Sequence, residues 1–155
     1  MRIAVLVSAA VLISGCGSDD GAEGSQAAYE AEQGPRIIAA ADLPADLRSA
    51  AGKPGNLPCR LPRIPGEFQS HKVDRYSHAF LSPRPYGEVA GFYRLAAELA
   101  GHDATVETMP GVINVAIRVD SGTTCVLTAS DGGTHRNPEG EATPVTSAVV
   151  AEKHD

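Results

Sequence analysis

The side chains best suited to hold a metal or move a proton in this sequence are His71, Asp74 and His78, with His102 and His135 farther along. Two imidazoles and a carboxylate are adequate ligands for zinc or copper and adequate acid–base groups. Their spacing, HxxDxxxH, is neither the helical HExxH pattern nor another ligand run. On two strands of a hairpin, His71 and His78 need not face the same way. Histidines on a polar strand face read equally well as surface residues. A nucleophile is no better supported. Ser121 lies in Asp120-Ser121-Gly122 with no Gly-x-Ser-x-Gly elbow around it, which is the composition of a turn. Gly132-Gly133 is followed by no Lys-Ser or Lys-Thr, so it is not a phosphate loop. The sequence therefore reads as non-enzymatic, with no cofactor.

Charge offers a second kind of chemistry. The net charge is −6, yet Lys53, Arg60, Arg63, Lys72, Arg75, Arg84 and Arg94 cluster against only Glu67, Asp74 and Glu88. A basic middle between acidic ends can meet phosphate or carboxylate groups. Arg60, Arg63, Lys72 and Arg75 are the candidates for such contacts. An ordinary solvated surface accounts for them as well.

The amino-terminal segment determines where any of this takes place. Arg2 supplies a positive charge, residues 3–13 form an apolar run broken only by Ser8, and Ser14-Gly15-Cys16 ends it with small residues. That is the layout of a secretory signal, too short to span a bilayer. Ile13-Ser14-Gly15-Cys16 resembles the lipobox of bacterial lipoproteins. The resemblance covers the signal alone. It implies cleavage of residues 1–15, a diacylglyceryl thioether on Cys16 and acylation of the new amino terminus. Such an anchor exceeds the two signals that stable attachment requires. Gly17 stands where Asp would favour inner-membrane retention, so the resemblance implies the outer membrane, facing the periplasm. In a host with a single membrane it implies the cell membrane. Nucleic acid is then an improbable partner.

With Cys16 assigned to lipid, Cys59 and Cys125 remain as an even pair in an oxidising compartment. A disulfide between them closes a loop of about 66 residues, worth ~4 kcal/mol in the chain-entropy model. The alternative, two free or metal-binding thiols, lacks a CxxC. Residues 16–55 read as the anchor and a flexible acidic spacer, with a short helix allowed over 44–51. Residues 56–130 read as the folded domain, small enough to need a staple. Residues 131–155 read as a disordered or weakly ordered tail, because Gly132, Gly133, Pro138, Gly140 and Pro144 interrupt any period. A short strand over 145–150 is the most the tail allows.

Within the domain the spacing predicts a helix over 85–100, starting at Pro85 and capped by Gly101, with Val89, Phe92, Ala96 and Leu99 on its core stripe and Tyr93 at the edge. Gly87 and Gly91 fall on the opposite side and read as drift at tolerant sites. A smooth strip for a close backbone is the alternative. Strands are expected near 68–73, 76–81, 104–109, 112–119 and 123–130, with a turn at Pro110-Gly111. A three-residue loop with Gly122 left-handed would pair Ile117 with Cys125, Val115 with Leu127 and Ile113 with Ala129, collecting the apolar residues on one face. The expected fold is a small α+β two-layer sandwich, one helix on an antiparallel sheet of four to five strands in ββαβββ order. The expected function is a membrane-anchored, non-enzymatic binding or structural module with an envelope protein or polymer as partner. The alternatives are a metal-binding or enzymatic domain using His71, Asp74 and His78, and an inhibitor of a secreted hydrolase.

Overall fold

Apolar residues at every second position of 112–118 and around one side of 86–99 meet in a single core. The computed structural model describes residues 36–155. In chain order these form α1 (Ala45–Ala51), a 3₁₀ turn (Pro58–Arg60), β1 (Phe68–Lys72), β2 (Ser77–Ser82), α2 (Tyr86–Leu99), β3 (Asp103–Met109), β4 (Val112–Arg118), β5 (Thr123–Arg136) and β6 (Ala142–His154). The strands make one antiparallel sheet ordered β1-β2-β6-β5-β4-β3. The class is α+β, with six strands and two helices where four to five strands and one helix were expected. The signal, Cys16 and the spacer to residue 35 lie outside the described residues.

On β4, Ile113, Val115 and Ile117 are fully buried, and the alternate residues Val112, Asn114 and Ala116 are only half so. Ile117 pairs with Cys125, Val115 with Leu127 and Ile113 with Ala129, the register that burial selects. The loop reaches it by another route than a left-handed Gly122. The Asp120 carboxylate accepts the Gly122 N–H at 2.8 Å, and Val119 N–H reaches Thr123 O at 3.0 Å. Gly111, at φ 75, does take the left-handed position of the β3–β4 turn.

Helix α2 begins one residue after Pro85 and ends in a Schellman arrangement. His102 N–H bonds to Ala97 O and Gly101 N–H to Glu98 O, with Gly101 at φ 78. Its buried side is broader than a single stripe. Val89, Phe92 and Ala96 are in the core as expected, and so are Ala90, Tyr93 and Ala97, whereas Leu99 is 59% exposed. The widening has a cause in an earlier part of the chain. Ile38 N–H donates to Gly87 O at 3.0 Å, and α1 lies against α2, burying Leu43, Leu47 and Ala51. Residues 36–55 are thus part of the domain, not of a flexible spacer. A Cβ on Gly87 would stand 2.3 Å from Arg36 O, and one on Gly91 2.4 Å from Ile38 O. These glycines are not drift. They are the only residues that let the incoming backbone lie so close.

The expected tail is the largest correction. Strand β6 is inserted between β2 and β5, and Val145, Thr146, Ala148 and Val150 are buried. The breakers are absorbed without ending the ladder. Gly132 and Gly133 occupy a register shift between Asp131 and Thr134, where Gly133 takes φ 74 and donates to Asp131 Oδ1 at 2.7 Å. Pro144 pairs opposite Thr134 in the part of the hairpin beyond the other strands.

Candidate functional site

The structure separates the residues with metal-ligating chemistry. A register shift between Phe68 and His71, with Gln69 at φ 48, sets His71 opposite Ala79, while His78 stands opposite Lys72. Residues paired across neighbouring strands share a face, so His71 and His78 project from opposite faces of the sheet. Asp74 shapes the turn between them, its carboxylate accepting Tyr76 N–H at 2.7 Å. Hydrogen bonds from the Ser77 side chain and from the Tyr76 backbone hold its pKa below the ordinary value. His102 lies beyond α2, and His135 stacks on Phe68 with ring centroids 4.8 Å apart.

His78 belongs instead to a polar network. Arg63 Nη1 donates to Glu67 Oε1 and, at 2.7 Å, to Ser70 Oγ. Ser70 donates to Glu67 Oε1 at 3.1 Å, and His78 Nε2 lies 2.5 Å from Ser70 Oγ. Glu67 Oε2 and the Tyr93 hydroxyl are buried nearby, neither meeting hydrogen-bond geometry with a partner. Desolvation, then the Arg63 charge, lowers the His78 pKa. Desolvation, then the Glu67 carboxylate, raises that of Tyr93. Which of Ser70 Oγ and His78 Nε2 donates to the other is set by the tautomer of the imidazole.

Arg60, Arg63, Lys72 and Arg75 stand on different segments of the chain. Arg60 stands at φ 56 in the wall of a cleft, Arg63 is in the network, Lys72 is on edge strand β1 and Arg75 lies over the Tyr76 ring at 5.2 Å.

The cleft, of about 800 Å³, opens beside Leu57, Cys59, Leu99, His102, Asp120 and Glu152. At its floor Cys59 and Cys125 are at disulfide distance, Cα–Cα 6.2 Å. Cys125 is fully buried on β5, and Cys59 reaches it from the 3₁₀ turn with φ 55. Glu152 accepts Cys59 N–H at 2.8 Å on one oxygen and meets His154 Nε2 at 2.9 Å on the other. Cys59, Cys125 and Glu152 are the one group of three metal-ligating side chains that converge among the described residues. Sulfurs bonded to each other are not thiolates, so the group as it stands is a staple and not a metal centre.

The most extensive feature is the sheet face on which no helix of the described residues packs, overlain at the Phe68 end by His135 of the long hairpin. Helix α2 packs on β3, β4 and β5, α1 packs on α2, and the 3₁₀ turn rests on β5 and β6, all on the core side. The opposite face is built of cross-strand rows. One runs His71, Ala79, Val149, Thr128, Asn114, Glu107, and the next Ser77, Ala151, Val126, Ala116, Thr105. The row toward the long hairpin runs Phe68, Leu81, Ser147, Ser130, Val112, Met109. At the other rim lie Lys153, Thr124, Arg118 and Asp103. The centre is thus small and uncharged, and its side chains are half-buried or exposed. The solvated face of an antiparallel sheet ordinarily carries polar side chains, and here they are short and uncharged. Sequence reading missed the contribution of β6 to this face, although the alternation of Ser147, Val149 and Ala151 with Ala148 and Val150 was available to suggest it. No protein-family model matches the chain, and no curated protein or solved structure is significantly similar to it.

Proposed function

We propose that this protein is a membrane-anchored, non-enzymatic binding module of the bacterial cell envelope, and that the helix-free face of its sheet is the surface with which it binds. The observation that carries the reading is the uncharged centre of that face. Its rows of Ala, Ser, Thr, Val and Asn are wide enough to receive a flat partner. Short side chains on a rigid sheet lose little rotamer freedom on docking, which favours binding over chemistry. The address is taken from the lipobox-like Ile13-Ser14-Gly15-Cys16, with Cys16 acylated and the domain held at the periplasmic side of the outer membrane. A Cys59–Cys125 disulfide suits such an oxidising space.

A photoreactive residue at Val126 in the full chain, activated in intact cells, tests the binding surface. We expect adducts from Val126 and none from Arg94 on the exposed side of α2. Equal labelling from both positions, or none from Val126, would remove the reading. Intact mass of the membrane-extracted protein tests the anchor, with triacylation at Cys16 expected and an uncut precursor contradicting it.

A further inference from the structure

We infer that Cys59 is a thiol-exchange site: the Cys59–Cys125 bond opens to a thiolate that enters the cleft and attacks Cys59 Sγ. Neither the anchor nor the sheet face enters into this chemistry. The two sulfurs are unequally placed for the attack. Cys59 is half-buried and forms part of the cleft wall, whereas Cys125 is fully buried on β5 behind it. An incoming sulfur therefore meets Cys59 first, and Cys125 is the sulfur that leaves. Lys53 and Arg60 line the same cleft and stand in no ion pair among the described residues. The two acids of the cleft are already engaged, Asp120 accepting Gly122 N–H and Glu152 accepting Cys59 N–H. The wall thus has cations to draw in an anionic thiolate.

The backbone around Cys59 favours opening over closure. Cys59, at φ 55, and Arg60, at φ 56, are successive residues in the left-handed region, which only glycine enters without cost. Leu57 and Leu61 on either side are extended, at φ −74 and −67, so the cost is confined to the bonded residue and its neighbour. Breaking the bond releases Cys59 from β5 and lets both residues regain ordinary angles. The oxidised form carries a cost that the reduced form sheds, so the bond is reduced more readily than one tying two relaxed strands.

Glu152 supplies a proton path. One of its carboxylate oxygens lies within 4.8 Å of both sulfurs, and Oε1 meets Nε2 of the exposed His154 at 2.9 Å. In the first step the incoming thiolate bonds to Cys59 Sγ as the bond between the cysteines breaks, and the electron pair leaves on Cys125. That thiolate takes a proton passed through Glu152 from His154. The second thiol of a dithiol reductant, as its thiolate, then attacks the incoming sulfur. The reductant becomes a disulfide, and Cys59 leaves as a thiolate that water protonates. Two electrons pass from the dithiol to this chain, and the co-reactant is a small dithiol or a protein bearing a thiol pair.

Reduction of the full, folded chain by dithiothreitol tests this, with alkylation and peptide mass reading Cys59 and Cys125 apart from Cys16. The expected rate in native buffer lies within about a hundredfold of the rate for the same chain in guanidinium. A native rate slower than that overturns the inference. Cys125→Ser, checked for folding by circular dichroism, should form a mixed disulfide at Cys59 with oxidised glutathione. Cys59→Ser should leave Cys125 at least about a hundredfold slower, and equal rates would overturn the assignment. Arg60→Gly takes the left-handed angle freely and should shift the equilibrium with glutathione toward the disulfide by roughly threefold or more. An unmoved equilibrium would overturn the part given to the backbone. Glu152→Gln keeps an acceptor for Cys59 N–H but relays no proton. It should slow reduction roughly tenfold at neutral pH and leave the equilibrium in place, and an unchanged rate would overturn the proton path. Should either cysteine variant fail to fold, the native rate and the Arg60→Gly equilibrium, both read on the intact pair, decide the matter.

Discussion

Gly91 lies directly beneath Ile38: a Cβ built on the glycine would stand 2.4 Å from the Ile38 carbonyl oxygen and 3.2 Å from Leu43 Cδ2. By helix propensity alone, Gly91→Ala should stabilise α2 by ~1 kcal/mol. Contact with backbone reverses the sign, because the segment before α1 must lift away and expose Leu43. The expected loss is about 1–3 kcal/mol, a fall in melting temperature of roughly 5–10 °C. Thermal denaturation followed by circular dichroism reads it, and a melting point above that of the unaltered chain would refute the close approach.

Cys59 and Cys125 should behave as one unit. Cys59→Ala and Cys125→Ala are each expected to cost about 2–5 kcal/mol, and the double variant no more than the worse single one. Denaturant titration of all three variants checks this. Losses that add would mean that the sulfurs stabilise the fold separately.

His78 should make stability depend on pH in a defined direction. Its folded-state pKa lies below the ordinary 6.5, chiefly through desolvation and then the Arg63 charge. The unfolded chain therefore binds the proton more readily. The contribution is fully present above 6.5 and is lost as pH falls through the folded value. Melting temperature should fall on acidification below about 6.5. His78→Gln should flatten that part of the profile, leaving the acid limb near the carboxylates, where Asp74 and Asp120 titrate low. An identical profile in the variant would show that another group is responsible.

Removing residues 142–155 should unfold the protein. Strand β6 lies between β2 and β5, so its loss leaves two separate sheet fragments and uncovers Phe80 and Leu127. The expected result is a loss of cooperative melting and of protected amide protons. A truncated chain that retains a cooperative transition would mean that the other five strands suffice without it.

Much of this architecture was legible in the residues. The β4–β5 register followed from placing Ile113, Val115, Ile117, Cys125 and Leu127 on one side, since burial tolerates only one alignment. Gly101 marked the end of α2 and Gly111 the turn before β4, because each position demands a left-handed residue. The pairing of Cys59 with Cys125 was an expectation of cysteine count and compartment, and the fold brings the two to bonding distance. Strand β6 was obscured because Pro144 and the glycines before it looked like breakers, when Gly132 and Gly133 form a bulge and Pro144 pairs within the hairpin. The metal-ligand candidates dispersed for a similar reason. The bulge at Gln69 set His71 and His78 on opposite faces, and nothing in HxxDxxxH records a bulge.

Local sequence by itself determined the elements, their turns and the pairing of neighbouring strands, because those depend on side-chain period and on backbone angles that few residues adopt. Only the tertiary structure decided that residues 36–55 and 142–154 belong to the domain, that Gly87 and Gly91 receive a backbone, and that both described helices pack on the same side of the sheet. These are contacts between segments distant in the chain, and their free energy appears only when both surfaces are present.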